Sequence, residues 1–546
     1  MTNAISPIRI NHRGFTCNGS KRFVLVENRT QSDTFCVYIV DDVRHIKVLE
    51  GTLERHTEGE STYFVGDFSS ITREGDYFVE AGGFRSRQFV IYDGAYDICE
   101  RTMLEYFTYQ RCGHPLGWNG ACHLDDGFIK ETGERVDLSG GYHQSCDLRK
   151  SPGGVSIGVL SMLRFAMHDK SPWGEILVRD EARWALEYFI KTIQENGAMY
   201  NTLSAPFGWE GREFYKSSAP SSAQWNVTSA LALGYSFFKD TDTALAKKCL
   251  DSALRSYEFL TGNERPCGVY SHPDKFPLGM DPDFFYDQCV RGSVADTASH
   301  IVALCDLYRA TGDTEHLDKV RALISHILCH LDGHILKRST KNGACVSASC
   351  SYTWLMGGLL SLCDAYELLG DFDGLEDALR RALDDLCEHM DASVWKIPFI
   401  LYSENDLDAP CGHENKTRRQ ALGALYSYKS YFYSARMAFE PSYACYMGVF
   451  LARGARLLKN DRYMAYAQAI ADNLLGANSL DSSRVRAIGY NHATHISYGQ
   501  FFPSTPFIPG AVGVSYHSLS PSESSSEYDM PCVGLSMYLL SEISRK

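Results

Sequence analysis

The hydrophobic period of this 546-residue chain changes once, near residue 93, and does not change back. Before that point the runs Phe23-Val24-Leu25-Val26, Phe35-Cys36-Val37-Tyr38-Ile39-Val40, Tyr77-Phe78-Val79 and Phe89-Val90-Ile91 are rich in aromatic and β-branched residues. Gly, Asn and Asp clusters separate them, which is the pattern of strands in a β-sandwich. From Tyr96 onward, Ile98, Met103, Tyr106 and Phe107 open a helical spacing that continues almost to the C-terminus. Side chains alternate across a strand but recur every three or four residues on a helix face, so the two patterns belong to different layers. The division predicts a small β-sandwich over residues 1–93 and a mainly α domain over 94–546.

The helical part is patterned as hairpins. Ile301, Leu304, Cys305 and Tyr308 share a face before Gly312-Asp313. Leu359, Leu362, Cys363 and Tyr366 precede Gly370-Asp371, and Leu375, Leu379 and Leu386 return; another turn falls at Asn460-Asp461. Hairpins recurring roughly every fifty residues point to an α/α barrel or to a solenoid of helix pairs, since each buries its apolar stripe on its neighbours. Periodicity does not separate those two. The stretches 262–292, 396–420 and 478–527 are too long for ordinary connections and are where an active site is expected.

Composition excludes several classes of function. A net charge of -14 disfavours attraction to nucleic acid. No run of about 18 apolar residues offers a membrane-spanning helix. Met1-Thr2-Asn3-Ala4-Ile5-Ser6-Pro7 lacks the basic and apolar regions of a secretory signal. The 18 cysteines are scattered through helical segments rather than forming a dense framework. Reduced thiols and a cytoplasmic location are the expectation. The oligomeric state is not legible.

Several blocks, in order along the chain, resemble the family 9 glycoside hydrolases, the family of many cellulases. Asp67-Phe68-Ser69-Ser70, Gly75-Asp76-Tyr77, Arg85-Ser86 and Phe89-Val90-Ile91 resemble the immunoglobulin-like module that precedes their catalytic domain. Tyr106-Phe107-Thr108-Tyr109-Gln110-Arg111-Cys112-Gly113 is similar to the family's first barrel helix. Cys122-His123-Leu124-Asp125-Asp126 and Asp137-Leu138-Ser139-Gly140-Gly141-Tyr142-His143 resemble the approach to the catalytic base. Ile508-Pro509-Gly510 and Glu523-Ser524-Ser525-Ser526-Glu527-Tyr528-Asp529-Met530-Pro531 resemble the segment of the catalytic acid. The fold this implies is a six-hairpin α/α barrel (α/α toroid) preceded by an immunoglobulin-like β-sandwich.

The resemblance also implies an inverting mechanism, in which one carboxyl protonates the leaving oxygen while a carboxylate activates water on the opposite face of the sugar. It assigns the base to Asp147 and the acid to Glu523. The family usually carries a second aspartate three residues before the base, and here that position is Gln144. An amide can hydrogen-bond the attacking water but can neither take its proton nor raise Asp147 by like-charge repulsion. The family's Pro-His-His-Arg segment is also missing, and Gly489-Tyr490-Asn491-His492-Ala493-Thr494-His495 holds its place. His492 and His495 are the candidates for sugar hydroxyls there. Tyr142, Trp118, Tyr490 and Tyr528, in or beside the matched blocks, are candidates for stacking on sugar rings.

Cys112, Cys122, His123 and His143 make up two thiolates and two imidazoles, the number and type that fill a closed tetrahedral zinc site. Zinc-containing members of the family have ligands at these motif positions. Because His143 lies four residues before Asp147, the metal would pin the base loop without taking part in the chemistry. Calcium also occurs in the family, and no position for it can be read here. Three functions follow: hydrolysis of β-linked gluco-oligosaccharides, exo-acting β-glucosaminidase or β-glucosidase-like activity on imported oligosaccharides, or a non-catalytic sugar-binding relative that lost activity with the aspartate at 144.

Overall fold

The structure is a computed structural model describing residues 5–26, 33–116, 120–124, 126–129, 132–145, 148, 150–168, 172–202, 215–216, 219–262, 292–339, 345–347, 358–408, 410–411, 416–434, 440–492, 496–498, 502–505, 507–513 and 528–545. Ten strands form the N-terminal sandwich: β1 (Ile8–Arg9), β2 (Gly14–Phe15), β3 (Arg22–Leu25), β4 (Thr34–Asp41), β5 (Arg44–Thr52), β6 (Glu54–Glu58), β7 (Ser61–Asp67), β8 (Gly75–Ala81), β9 (Phe84–Arg85) and β10 (Phe89–Ile91). One sheet has the order β1-β3-β7-β6 and the other β2-β10-β8-β4-β5, with β9 on β8. In β4 the alternation is clear: Phe35, Val37 and Ile39 are buried, while Cys36, Tyr38 and Val40 are only half-buried. The inward residues meet an aromatic core of Phe15, Phe23, Phe68 and Phe89, whose rings pack mainly edge to face.

Twelve helices of ten residues or more follow among the described residues: α1 (Asp97–Gln110), α2 (Pro152–His168), α3 (Pro172–Thr192), α4 (Ser221–Phe238), α5 (Thr243–Gly262), α6 (Val294–Thr311), α7 (Thr314–Cys329), α8 (Leu360–Leu369), α9 (Leu375–Met390), α10 (Pro441–Leu457), α11 (Asp461–Leu474) and α12 (Met530–Ser544). The even-numbered helices pack on one another in sequence, α2 on α4, α4 on α6, α6 on α8, α8 on α10, α10 on α12, and α12 returns to α2. That closure decides for a barrel over an open solenoid. The odd-numbered helices lie outside. Gly158 of α2 and Gly534 of α12 show how close the closing pair is: a Cβ on Gly534 would sit 2.6 Å from the Gly158 backbone.

The connections are of two kinds, and this positions the site. Among the described residues, α4, α6, α8 and α10 each reach the following outer helix by a short turn of two to five residues. After α6, Gly312 takes φ 74° as C-cap, and the Asp313 side chain then accepts the Glu315 N–H to start α7. Connections from an outer helix to the next inner one are far longer, from 28 residues (193–220) to 55 (475–529). All of them therefore arrive at the N-terminal ends of the inner helices, and one face of the barrel carries the loops. Lower in the barrel, on the C-terminal halves of α2, α6 and α10, Arg164 bonds Asp306 at 2.8 Å, and Arg453 bonds Asp364 of α8 at 3.0 Å. Buried pairs of this kind favour one register of the helices more than they add stability. No helix among the described residues is long and apolar enough to cross a membrane.

Candidate active site and metal centre

The connection from α1 to α2 begins with a short piece of antiparallel pairing. Cys112 N–H donates to Gly141 O at 2.8 Å and His143 N–H to Gln110 O at 2.9 Å, with Arg111 opposite Tyr142. This ladder brings Cys112 and His143 to one place although 31 positions separate them. A turn with His123 at φ 51° presents Cys122 and His123 to the same point. One ligand atom from each of the four residues lies within 4.8 Å of all the others. Cys112 Sγ is 3.6 Å from Cys122 Sγ, and Cys122 Sγ is 3.3 Å from His143 Nε2. A tetrahedron with bonds of about 2.3 Å to sulfur and 2.0–2.1 Å to nitrogen needs separations of roughly 3.8 and 3.6 Å, so the spacing fits a zinc-sized cation. Contact with the Cys112 thiol, aided by the imidazoles, holds Cys122 well below an ordinary thiol; burial pushes Cys112 up and His143 down. Such a set gathers its ligands without reorganising the chain.

Beside this centre the loop is braced against α3. Glu181 accepts from the Tyr142 hydroxyl at 2.8 Å and from Arg111 Nε at 3.2 Å, and Thr108 donates to it as well. Tyr142 is fully buried, with its ring edge-on to Phe107. Tyr528 is fully buried too, edge-on to Tyr106. Both were expected at the sugar. Instead they are core residues of the structure, because each ring has been drawn into the apolar contact between α1 and the loop face.

Backbone pairing joins the segments on either side of the barrel's closing seam. Ser145 pairs with Asp529, and Met530 N–H donates to Gln144 O at 3.0 Å. Tyr528 pairs in turn with Gly513, and Val512 with Val485. The Gln144 side chain lies on the first turn of α2, where Gly154 makes room: a Cβ there would fall 2.1 Å from Gln144 Oε1. Asp147, Glu523 and His495 lie outside the described residues, as does Trp118.

Two acids to which the sequence assigned no role cap inner helices beside this seam. Glu440 caps α10, accepting from Tyr443 N–H at 2.6 Å and Ser442 Oγ at 2.6 Å. Asp529 caps α12, accepting from Cys532 N–H at 2.8 Å. Loss of water around Glu440, with Asp529 adding to it, pushes the carboxyl up to about 7, and desolvation raises Asp529. The signal was present, since a proline follows each acid within two residues, as at a helix start.

The remaining candidates sit where the sandwich meets the barrel. Tyr490 is 41% exposed, with the Arg87 guanidinium 4.3 Å over its ring. His492 is half-buried, and its ring lies 5.7 Å from that of Phe507. Burial lowers its pKa, so the neutral imidazole prevails.

This architecture has known counterparts. The description "Glycosyl hydrolase family 9" matches residues 96–501, and "Cellulase N-terminal ig-like domain" matches residues 3–86. A cellodextrinase of Butyrivibrio fibrisolvens is 26% identical over 517 residues, covering 88% of this chain and 85% of that protein. The crystal structure of a metagenome-derived family 9 endoglucanase superposes with a TM-score of 0.72 at 18% identity over 99% of both chains. A zinc-binding triple mutant of the family 9 endoglucanase J30 superposes with a TM-score of 0.68 at 16% identity, over 97% of this chain and 99% of that one. With the sandwich, the closed ring of six inner helices and a sequence match over most of its length, the chain belongs to glycosyl hydrolase family 9 and is a glycoside hydrolase.

Proposed function

We propose that the chain hydrolyses short β-1,4-linked glucose oligomers with inversion, Asp147 serving as general base and Glu523 as general acid. The observation that carries this reading is the seam. Ser145, two residues before Asp147, pairs with Asp529, six residues after Glu523, and the next residue, Met530, donates its N–H to Gln144 O at 3.0 Å. Residues 144–145 and 528–530 thus come together at the N-terminal ends of α2 and α12, which supports a common site for the two carboxyls. The match to a cellodextrinase over 88% of this chain favours glucose oligomers over glucosaminides.

In this reading Asp147 takes a proton from water as the water attacks the anomeric carbon, and Glu523 gives its proton to the departing oxygen. Gln144 orients that water through its amide. His492, His495 and Tyr490 hold the sugar. Cys112, Cys122, His123 and His143 would hold zinc, which would supply a rigid cross-link and no chemistry; their ligand atoms all lie within 4.8 Å of one another, and a structure of similar fold is described as a zinc-binding variant of J30, which supports this reading. The sandwich occupies residues 1–93 and the catalytic domain 94–546.

Incubation with cellotetraose, carboxymethyl cellulose, chitotetraose and aryl β-glycosides tests the substrate class. Cellotetraose is expected to be cleaved with a kcat/KM at least about tenfold above that for chitotetraose, the low end of the discrimination a pocket achieves against a substituent of altered size. Preferred release of glucosamine or N-acetylglucosamine would transfer the assignment to glucosaminides.

A further inference from the structure

We propose that His12 of the sandwich is a positioning residue for the substrate segment 476–492 of the barrel. The inference rests on the reading that this segment, through His492, touches the sugar. His12 lies in the turn between β1 and β2 and is buried. Its backbone N–H donates to Leu475 O at 2.9 Å. Its ring makes two further bonds into the same segment. Nδ1 accepts the Tyr490 N–H at 3.1 Å, and Nε2 lies 3.0 Å from Asp481 Oδ1. Since Nδ1 accepts, the ring proton is on Nε2 and is donated to the carboxylate. One residue thus holds the loop at Leu475 through its backbone and at Asp481 and Tyr490 through its ring, with a fixed tautomer.

The segment is shaped around that ring. A Cβ on Gly476 would fall 2.4 Å from His12 Cε1, and one on Gly489 2.9 Å from its Cβ. Both glycines also have positive φ, 121° and 68°. Asp481 is buried and accepts in addition from Ser6 N–H at 2.9 Å and Arg87 at 3.3 Å, both from the sandwich. Asn491 donates to Asp481 O at 2.7 Å from within the segment. Tyr490 is edge-on to the His12 ring at 5.4 Å. His492 comes two residues later, and its Nδ1 has no hydrogen-bond partner among the described residues. Domain docking alone would be served by apolar contact. Two directed bonds from one ring to residues nine apart fix the course of the chain into His492.

The test compares kinetics and stability on the full chain. His12→Phe keeps the ring in its slot but leaves the Tyr490 N–H and Asp481 without it; His12→Gln can restore both bonds. With cellotetraose, H12F should raise KM about tenfold while kcat changes less, and H12Q should return KM to within roughly threefold of the parent. Phe35→Leu, within the core of the sandwich, supplies the control: it should lower Tm without moving KM. If H12F does not fold, His12→Ala is read in its place. Unchanged KM in a folded H12F or H12A protein overturns the proposal, as does an equal KM shift in F35L. His492→Ala separates the two readings. A raised KM there with none at His12 sinks the positioning role alone. Unchanged KM in H492A sinks the sugar contact, and a KM effect at His12 would then be exerted through another residue of the segment.

Discussion

Glu523→Gln is expected to lower kcat on cellotetraose by roughly 10³-fold, within the range that a positioned general acid supplies. The amide keeps the shape of the carboxyl but has no proton to give. An alkoxide leaving from glucose needs that proton, whereas a dinitrophenolate does not. On dinitrophenyl β-cellobioside the same variant should therefore lose on the order of tenfold or less. Asp147→Asn should depress both substrates alike, because water must be activated whatever the leaving group. Steady-state rates on the two substrates check this. An unchanged cellotetraose rate in E523Q would pass the role of acid to Glu527.

The second large effect concerns the metal. Purified protein should contain about one equivalent of zinc, and Cys122→Ser should lower both the metal content and the stability. A site saturated about a thousandfold over its dissociation constant contributes about 4 kcal/mol, so chelation should lower Tm by roughly 5 °C in a domain of this size. His143 lies four residues before Asp147. Release of the loop should also displace the base, and a shift near 1 Å costs about a hundredfold in kcat. Metal analysis, thermal melts and cellotetraose kinetics with and without chelator read all three. A full complement of activity and stability in protein shown to be zinc-free would remove the metal from the account.

Much of the fold was legible in the chain, for reasons that also mark where legibility stopped. β4 buries one face and alternates, and β8 is an unbroken apolar run at Tyr77-Phe78-Val79, so both were found. Hairpins at Gly312-Asp313 and Gly370-Asp371 announced themselves through residues that adopt positive φ or cap a helix. The inner helices α2, α4 and α12 were harder, because almost every residue in them is buried and no amphipathic period survives. Barrel and solenoid differ only in whether α12 meets α2, a contact no local pattern encodes. The candidate metal-binding residues were legible by type, and the ladder between 110–112 and 141–143 explains how Cys112 and His143 converge. Tyr142 and Tyr528 were misplaced because an aromatic residue in a motif looks the same whether it faces a sugar or a core. His12 went unnoticed because its partners, Asp481 and Tyr490, lie more than 460 residues away.

In the proposed mechanism Asp147 activates water for a single displacement assisted by Glu523. That geometry needs about 6.5–9.5 Å between the carboxyls, room for one water, whereas a covalent intermediate needs about 5–5.5 Å. Gln144 cannot stand in as a nucleophile. Proton NMR of cellotetraose hydrolysis, recorded before mutarotation, distinguishes the two outcomes directly. The α-anomer should appear first at the newly formed reducing end; the β-anomer appearing first would contradict the roles assigned to both residues.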